Sequence, residues 1–244
     1  MINTLRPMNR EEYADKWQKE SLLFETNKIY EKLSNITPIA NTIEVGCGAG
    51  YSTYHLAKSR TVLVIENNNS CIDFMKYYFE ENNQNIPEII YSDILNLSNA
   101  DIKLIHAFSP KVIVAWFIGS CPEDVYTHVS EGIDFNQKFK KYRENIEDIL
   151  LNDEIFTGNV EWIHLASRGY IADSISYKDV IEGINEDYSV HVFNPNGFRI
   201  ESIDILDWER VNSDFNYIIA NNPNFIGGES SPKIISILAK RVQK

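Results

Sequence analysis

The feature that most limits how this chain can fold is the stretch 41–57, N-T-I-E-V-G-C-G-A-G-Y-S-T-Y-H-L-A. A run of β-forming residues at 42–45 ends on Gly46, and two more glycines follow at alternate positions, Gly48 and Gly50. Glycine suits positions where the backbone must take a positive φ or come close to a ligand. The next residues predict a helix, whose free N–H groups and positive dipole end attract an anionic group. The stretch therefore predicts a buried strand, a tight turn and the start of a helix.

Two kinds of nucleotide-binding turn fit part of this stretch. A nicotinamide-binding turn reads G-x-G-x-x-G and has an acid about 20 residues later. The first two glycines fit, but Tyr51 stands where the third is expected. An acid, Glu44, precedes the first glycine by two positions, and a carboxylate there suits an ammonium and a sulfonium better than a pyrophosphate. The pattern E-V-G-C-G-A-G resembles motif I of the class I S-adenosylmethionine (SAM) methyltransferases.

This resemblance implies a division of roles around the turn. In that family the glycine turn makes room for the methionine part of the cofactor, and the acid holds its ammonium group directly or through water. Glu44 is expected to take the second role here. SAM is thus the cofactor that the resemblance implies.

Acids also follow the next two predicted strands. The strand at 62–65 leads to Glu66, twenty positions after Gly46, where an acceptor-only carboxylate can take both ribose hydroxyl protons of an adenosine. Nicotinamide proteins share this role, so Glu66 does not separate the two cofactors. Asp93 follows the strand at 88–91, and the resemblance implies that it accepts from the adenine amino group while a neighbouring backbone N–H serves a ring nitrogen. The alternatives are a solvated turn residue for Glu66 and a turn cap for Asp93.

A fourth strand and its exit are predicted at 112–120. Ligands of open α/β sheets lie beyond the carboxyl ends of the strands at a switch point, which the first and fourth strands flank here. Residues 115–122 are therefore expected to line the methyl-transfer site. Either Trp116 or Phe117 can pack on the sulfonium or the substrate, but strand alternation predicts that only one of them does.

The resemblance and the strand-end positions together define a candidate site. The residues expected to contact the cofactor are Glu44, Gly46, Cys47, Gly48, Gly50, Glu66, Asn67, Asp93, Ile94, Ala115 and Trp116. The residues expected to contact the substrate are Tyr13, Phe117 and His128. No catalytic acid or base carries over, because no subfamily signature is present, and no metal site is predicted.

Two helical regions are expected to flank this site. Residues 9–34 read as an amphipathic helix with a break near Ser21, and helices at this point of the family often lie over the cofactor. Tyr13 and Trp17 on this helix could equally pack it onto the sheet. Residues 123–157 are mostly helical and stand where the family inserts substrate-recognition elements. Their basic cluster, Lys138, Lys140, Lys141 and Arg143, reads as a solvated helix face.

The remaining chain completes an α/β pattern. Residues 99–107 read as a short connection and 176–187 as a helix. Further strands are predicted at 162–166, 200–208 and 233–242, the last inserted antiparallel, and an added strand at 215–221. The predicted fold class is α/β: a Rossmann-like three-layer sandwich with a seven-stranded, mostly parallel sheet, an antiparallel seventh strand and an N-terminal helical cap. We expect one methyltransferase domain over 1–244, with the cap at 1–36 and a helical insertion at 123–157.

Charge and motifs bear on the partner. The formal net charge is −12 and the sequence pI is about 4.9, which opposes a polyanion at long range. The fourth-strand exit lacks the D/N-P-P-Y/F tetrapeptide of amino-methylating DNA enzymes, whose only look-alike is 222–225. Cytosine-5 enzymes place a nucleophilic cysteine after proline, whereas Cys121 precedes Pro122 here. No acid pair resembling the catechol-methylating type is visible. Nucleic acid is thus a disfavoured partner.

Cysteine usage and hydropathy bear on the compartment. The three cysteines show no C-x-x-C spacing, which argues against a disulfide framework and a zinc site. No apolar run approaches the length of about 20 residues that a membrane helix needs, and the first residues lack the apolar core of a signal peptide. We expect a cytoplasmic protein with no membrane contact. No feature of the sequence indicates its oligomeric state.

These observations predict SAM-dependent methyl transfer to a small or medium-sized acceptor, a metabolite or natural product, by in-line displacement. Positioning and desolvation can supply much of the rate of such a transfer, so the lack of an obvious base does not argue against catalysis. Three alternatives stay open: a methyltransferase acting on RNA or protein, a non-catalytic SAM-binding scaffold, and an NAD-dependent oxidoreductase.

Overall fold

A seven-stranded sheet forms the centre of the protein. The computed structural model describes residues 8–119, 121–213, 215 and 229–242, without the side chains at 135 and 136. The strand order is β3-β2-β1-β4-β5-β7-β6. The strands are β1 (Thr42–Val45), β2 (Val62–Glu66), β3 (Glu88–Tyr91), β4 (Val112–Trp116), β5 (Trp162–Ala172), β6 (Phe198–Asp207) and β7 (Ser230–Arg241).

The directions of the strands confirm the predicted fold class. The first five strands pair in parallel, and β7 inserts antiparallel between β5 and β6. Strands β1, β2 and β4 are buried along their whole length, as expected for parallel strands that helices cover on both faces. The carboxyl ends of these strands therefore lie at the same edge of the sheet. At that edge β1 and β4 are neighbours, but the chain continues from β1 to a helix on one face of the sheet and from β4 to a helix on the other face.

Helices cover both faces of the sheet and complete the three layers. Helices α1 to α4 pack on one face through an aromatic-rich cluster, and α5 to α9 pack on the other through a mostly aliphatic one. The helices are α1 (Arg10–Thr26), α2 (Ile29–Ile36), α3 (Tyr51–Ala57), α4 (Asn69–Glu81), α5 (Asn99–Phe108), α6 (Pro122–His128), α7 (Phe135–Leu150), α8 (Asp153–Phe156) and α9 (Tyr177–Tyr188). Short turns of 3-10 helix follow at Ile94–Asn96 and Asn194–Asn196, and a π-helical turn lies at Ser189–Phe193.

Two of the sequence predictions about helices were wrong. The predicted connection at 99–107 is helix α5, which a capping box between Ser98 and Asp101 begins. The break in the N-terminal helix lies at 27–28 rather than near Ser21, and Lys28 there has a φ of 58°. The predicted strand at 215–221 lies outside the described residues except for Phe215, and the look-alike tetrapeptide at 222–225 lies wholly outside them. No helix within the described ranges is long and apolar enough to cross a membrane.

Candidate functional site

A cleft of about 800 Å³ opens at the carboxyl ends of β1, β2, β3 and β4. Its walls come from elements far apart in the chain: the glycine turn, the end of β2 and the two residues after it, the turn after β3, the exit of β4 and one side of α1. Of the expected residues, Gly46, Cys47, Gly48, Glu66, Asn67, Asp93, Ile94, Trp116, Tyr13 and Phe117 line this cleft. Glu44, Gly50, Ala115 and His128 do not line it.

Helix α1 packs directly against the glycine turn. All three glycines have positive φ, and Gly48 has a φ of 52°. A Cβ atom added to Gly48 would collide with the indole ring of Trp17. A side chain at position 48 would therefore displace α1 as well as narrow the cleft, so a bulky substitution there cannot isolate ligand binding.

Glu66 accepts hydrogen bonds from three backbone N–H groups around the cleft. One carboxylate oxygen accepts from the N–H groups of Asn67 and Asn68 at 3.0 and 2.9 Å, and the other accepts from the N–H of Gly48 at 3.3 Å. Burial raises the pKa of Glu66, and these three backbone donors act against the rise. The side chain thus ties the end of β2 to the glycine turn of β1 and presents a carboxylate to the cleft between them.

Glu44 lies behind the turn and not on the surface of the cleft. Its side chain is buried on β1, and its Oε2 atom has no hydrogen-bond partner among the described residues. Burial raises the pKa of Glu44 to about 7, while the hydroxyls of Ser52 and Thr53 act in the opposite direction. Ser52 itself lines the cleft, so Glu44 stands one side chain away from it. A buried carboxylate oxygen without a partner is costly, which marks this position as one with a role beyond packing.

Asp93 closes the far end of the cleft together with His128. One Asp93 oxygen accepts from the N–H of Leu95 at 2.9 Å, and the other lies 2.6 Å from Nε2 of His128. The His128 ring stacks on Tyr142, with 6.0 Å between ring centroids. The structure therefore places His128 beside the expected adenine end, where it holds Asp93, and not among the residues lining the cleft.

Hydrogen bonds hold helix α1 across the opening of the cleft. Nε and Nη2 of Arg10 donate to one oxygen of the buried Asp124 on α6 at 2.9 and 2.5 Å. The same oxygen accepts from the side chain of Asn67 at 3.2 Å, and the side chain of Asn68 donates to the carbonyl of Arg10 at 2.8 Å. Tyr13, one turn along α1, projects into the cleft that these contacts cover.

Phe117 at the exit of β4 overturns the expectation from strand alternation. Trp116 and Phe117 both line the cleft and both belong to the aromatic cluster under α1. Phe117 has a φ of 60°, a strained value for a bulky side chain, and this turns its ring to the same side as Trp116. The ring packs against Phe24 at 4.9 Å between centroids and near Tyr30 at 6.0 Å. Strain of this kind concentrates at functional sites.

All three cysteines of the chain line this cleft. Cys47, Cys71 and Cys121 are buried and free of disulfides. Burial raises the pKa of each thiol, that of Cys121 to about 12, so none is a nucleophile at neutral pH. Across the described ranges no three His, Cys, Asp or Glu side chains are placed to hold a metal ion.

A second cleft of about 650 Å³ adjoins the first, and the sequence interpretation did not find it. Phe117 and Ile118 line both clefts, so the exit of β4 is the wall between them. The second cleft also contains the charged side chains of Arg143, Glu147 and Arg168. Arg143 had been placed in a solvated basic cluster, an expectation that fits Lys140 and Lys141 but not Arg143 or the buried Lys138. Arg143 and Glu147 are four residues apart, so they lie on the same face of α7. This spacing was the sequence signal that could have separated Arg143 from the exposed lysines.

Comparisons with known proteins concern the fold. Models of protein families give no match to this sequence, and neither do curated proteins. Many solved structures similar to the chain are SAM-dependent methyltransferases. N-methyltransferase NodS from Bradyrhizobium japonicum WM9, solved with S-adenosylhomocysteine (SAH), matches with a TM-score of 0.51 and 12% identity, over 96% of this chain and 100% of its own.

Two further neighbours illustrate the range of that similarity. Magnesium protoporphyrin IX methyltransferase (ChlM) from Synechocystis PCC 6803 matches with a TM-score of 0.42 and 10% identity, over 99% of this chain and 85% of its own. The ribosomal protein L11 methylase from Lactobacillus delbrueckii subsp. bulgaricus matches with a TM-score of 0.46 and 12% identity, over 90% and 79%. At such identities the shared feature is the Rossmann-like fold.

Proposed function

We propose that this protein is a SAM-dependent methyltransferase whose acceptor is a small or medium-sized molecule. The observation that carries the proposal is the pair of acids at successive strand ends, Glu66 and Asp93, in one cleft beside a glycine turn. Two hydroxyls of a ribose need acceptors, and the carboxylate of Glu66 offers only acceptors.

The residues present fit SAM at both ends of the cleft. At the adenine end, Asp93 supplies a carboxylate and Ile94 an apolar surface for the base. At the methionine end, the glycine turn gives space, and Glu44 with Ser52 gives a negative site for an ammonium group. The unpartnered oxygen of Glu44 is the structural observation that favours a cation there. SAM bound in this orientation would supply an activated methyl group near the exit of β4.

The residues of the protein close the cleft and position the bound molecules. Tyr13 and Trp17 cover the cleft, and the contacts of Arg10 and Asp124 hold α1 in that place. Because Trp17 lies on Gly48, we infer that α1 shifts when the methionine part enters and closes over it afterwards. A closed aromatic cover excludes water, which strengthens electrostatic interactions inside the site and prevents hydrolysis.

The first test is direct binding. Titration calorimetry should give heat with SAM and SAH and none with NAD at millimolar concentration. Binding of NAD instead would support the oxidoreductase alternative, and binding of neither class would reject the proposal.

The second test separates an enzyme from a scaffold and identifies the class of acceptor. The protein is incubated with SAM labelled in its methyl group and with a fractionated cell extract. We expect label in the low-molecular-weight fraction. Label in the nuclease-sensitive or protein fraction would favour the RNA or protein alternative, and label that stays on SAM would favour a scaffold. The second cleft beside the first is the feature that favours an enzyme.

A further inference from the structure

Two donors hold the carboxylate of Asp93 in the turn after β3. One oxygen accepts from the backbone N–H of Leu95 at 2.9 Å and so begins the short 3-10 turn at Ile94–Asn96. The other oxygen lies 2.6 Å from Nε2 of His128. An ionised carboxylate can only accept, so Nε2 carries the proton of this hydrogen bond. Each oxygen of Asp93 therefore has a donor, one from the backbone and one from α6.

The ring of His128 is itself fixed by the elements around it. His128 is the last residue of α6, and its ring stacks on that of Tyr142 with 24° between the two ring planes. One turn earlier on α6, the buried Asp124 accepts from the side chains of Arg10 and Asn67. The imidazole is thus held both by the stack and by the helix that carries it. Its side chain is only 21% exposed, so water competes little for its donor.

His128 contacts Asp93 from outside the cleft. Asp93 and Tyr142 line the cleft, whereas His128 does not. A ligand can therefore approach Asp93 without displacing the imidazole. The two oxygens of a carboxylate have about four lone-pair sites in total. After the bonds from Leu95 and His128, lone pairs of Asp93 thus remain for a ligand in the cleft.

We propose that His128 is a positioning residue that makes the cleft selective for a base with an amino group. By holding Asp93, it keeps an acceptor at a fixed point next to Ile94, where the amino group of adenine can donate. A base with a carbonyl group at that place would face the carboxylate with no proton between the two acceptors. A site built to receive a hydrogen bond discriminates strongly against an analogue that cannot donate it. This inference rests on the proposed function for the identity of the ligand as SAM.

The experiment compares two ligands that differ only in the base. SAH carries adenine, and S-inosylhomocysteine carries hypoxanthine, in which a carbonyl replaces the amino group and a ring nitrogen gains a proton. Titration calorimetry on the full-length protein gives the dissociation constant of each ligand. We expect the wild-type protein to bind SAH more tightly by about tenfold or more, because the analogue lacks a hydrogen bond to a charged acceptor.

Three variants test whether His128 creates this preference. His128→Phe keeps a ring for the stack on Tyr142 but has no donor, so the affinity for SAH should fall about tenfold while that for S-inosylhomocysteine changes little. His128→Gln places an amide N–H near the position of Nε2 and should restore most of the preference. Tyr126→Phe removes a hydroxyl at an exposed position of α6 and is the matched control, which should keep the wild-type preference.

The pattern across the variants distinguishes positioning from support of the fold. Thermal unfolding without ligand verifies that each variant is folded, and His128→Leu, which also lacks a donor, replaces His128→Phe if the latter does not fold. An equal loss of affinity for both ligands in the variant without a donor would show that His128 only supports the fold. An unchanged preference in that variant, or no greater preference in His128→Gln, would show that the donor is not what matters. Each of these results would overturn the inference.

The wild-type protein separates this inference from the proposed function. Equal affinity for SAH and S-inosylhomocysteine would leave the proposed function standing and reject the selectivity for an amino group. Binding of neither ligand would reject the proposed function, and the inference with it.

Discussion

Glu66 connects the end of β2 to the glycine turn that follows β1. Its carboxylate holds the N–H groups of Gly48, Asn67 and Asn68 and faces the cleft. We expect Glu66→Gln to weaken SAH binding by about tenfold or more, because hydrogen bonds to a charged acceptor are worth about 1.5–3 kcal/mol each. Calorimetry measures the change.

The design of that variant follows from the geometry. Glutamine keeps one oxygen for the N–H groups of Asn67 and Asn68 and loses the acceptor of the Gly48 N–H, whereas alanine would release all three donors and disturb the turn further. Glu88→Gln, at an exposed position on β3, is the control. Affinity for SAH equal to that of wild type would remove Glu66 from the ribose role.

Glu44 predicts a pH dependence of stability. Its pKa in the folded protein is raised to about 7 from an ordinary value of 4.5. The folded state therefore binds the proton more tightly than the unfolded state, and this carboxyl lowers stability progressively as the pH rises from about 4.5 to 7, with the full cost above pH 7. Glu44→Gln should gain stability relative to wild type over that range, by an amount of about 2–4 kcal/mol, since one pKa unit corresponds to about 1.4 kcal/mol.

Denaturant unfolding between pH 5 and pH 8.5 measures this difference. The gain should grow with pH and level off above pH 7. A constant difference across the range would show that Glu44 is not a buried titrating group. A loss of SAM binding in the same variant would additionally support the ammonium role.

The sequence revealed the acids of the site but not its cations. Glu44, Glu66 and Asp93 stand at fixed distances from glycines or strand ends, and the resemblance to the class I SAM methyltransferases gave Glu44 and Asp93 their expected roles. Arg143 and Arg168 lie on different elements, and only the packing of α7 beside β5 brings them to one cleft. Phe117 was misjudged for a related reason, since a positive φ at a non-glycine residue leaves no mark in the sequence.

At the scale of elements, α1 is the part that decides access to the cleft. It is held by burial of Trp17 and Phe24 and by the contact of Arg10 with Asp124. Arg10→Met should leave Asp124 buried without its charged partner, at a cost of about 1–3 kcal/mol. We expect the backbone amides of α1 to exchange hydrogen about tenfold faster, which mass spectrometry of peptides from α1 would show.

A control variant on the same helix makes this test specific. Lys16 is exposed on the same helix, and Lys16→Met should leave the exchange of α1 unchanged. Faster exchange throughout the protein in Arg10→Met would indicate global destabilisation and contradict a local role for the contact.

Elements with strong patterns were predicted well, and those with weak patterns were not. Strands β1, β2 and β4 are rich in β-branched and aliphatic residues, and their predicted bounds were close to the observed ones. Helix α5 was missed, and only Ile105 of its ten residues is fully buried. The capping box at Ser98 was the remaining local signal for it.

For the whole molecule, the proposal predicts a thermal response. A ligand that binds only the folded state stabilises it by about 2.7 kcal/mol at 100 times its Kd. For a chain of this size, that corresponds to a rise in Tm of about 5–10 °C. Differential scanning calorimetry should show this rise with SAH and none with NAD, and an equal rise with both would point to unspecific binding.

The three cysteines give the protein a built-in chemical reporter. All of them are buried in the lining of the cleft, and the chain has no other thiol, so we expect alkylation by a maleimide to require that the cleft opens. The rate of labelling therefore measures how often the cleft opens. A ligand that fills the cleft should lower this rate. We expect SAH to protect the thiols and Arg10→Met to expose them, as counted by intact-mass spectrometry. Labelling at the rate of the unfolded chain would show that α1 does not close the cleft in solution.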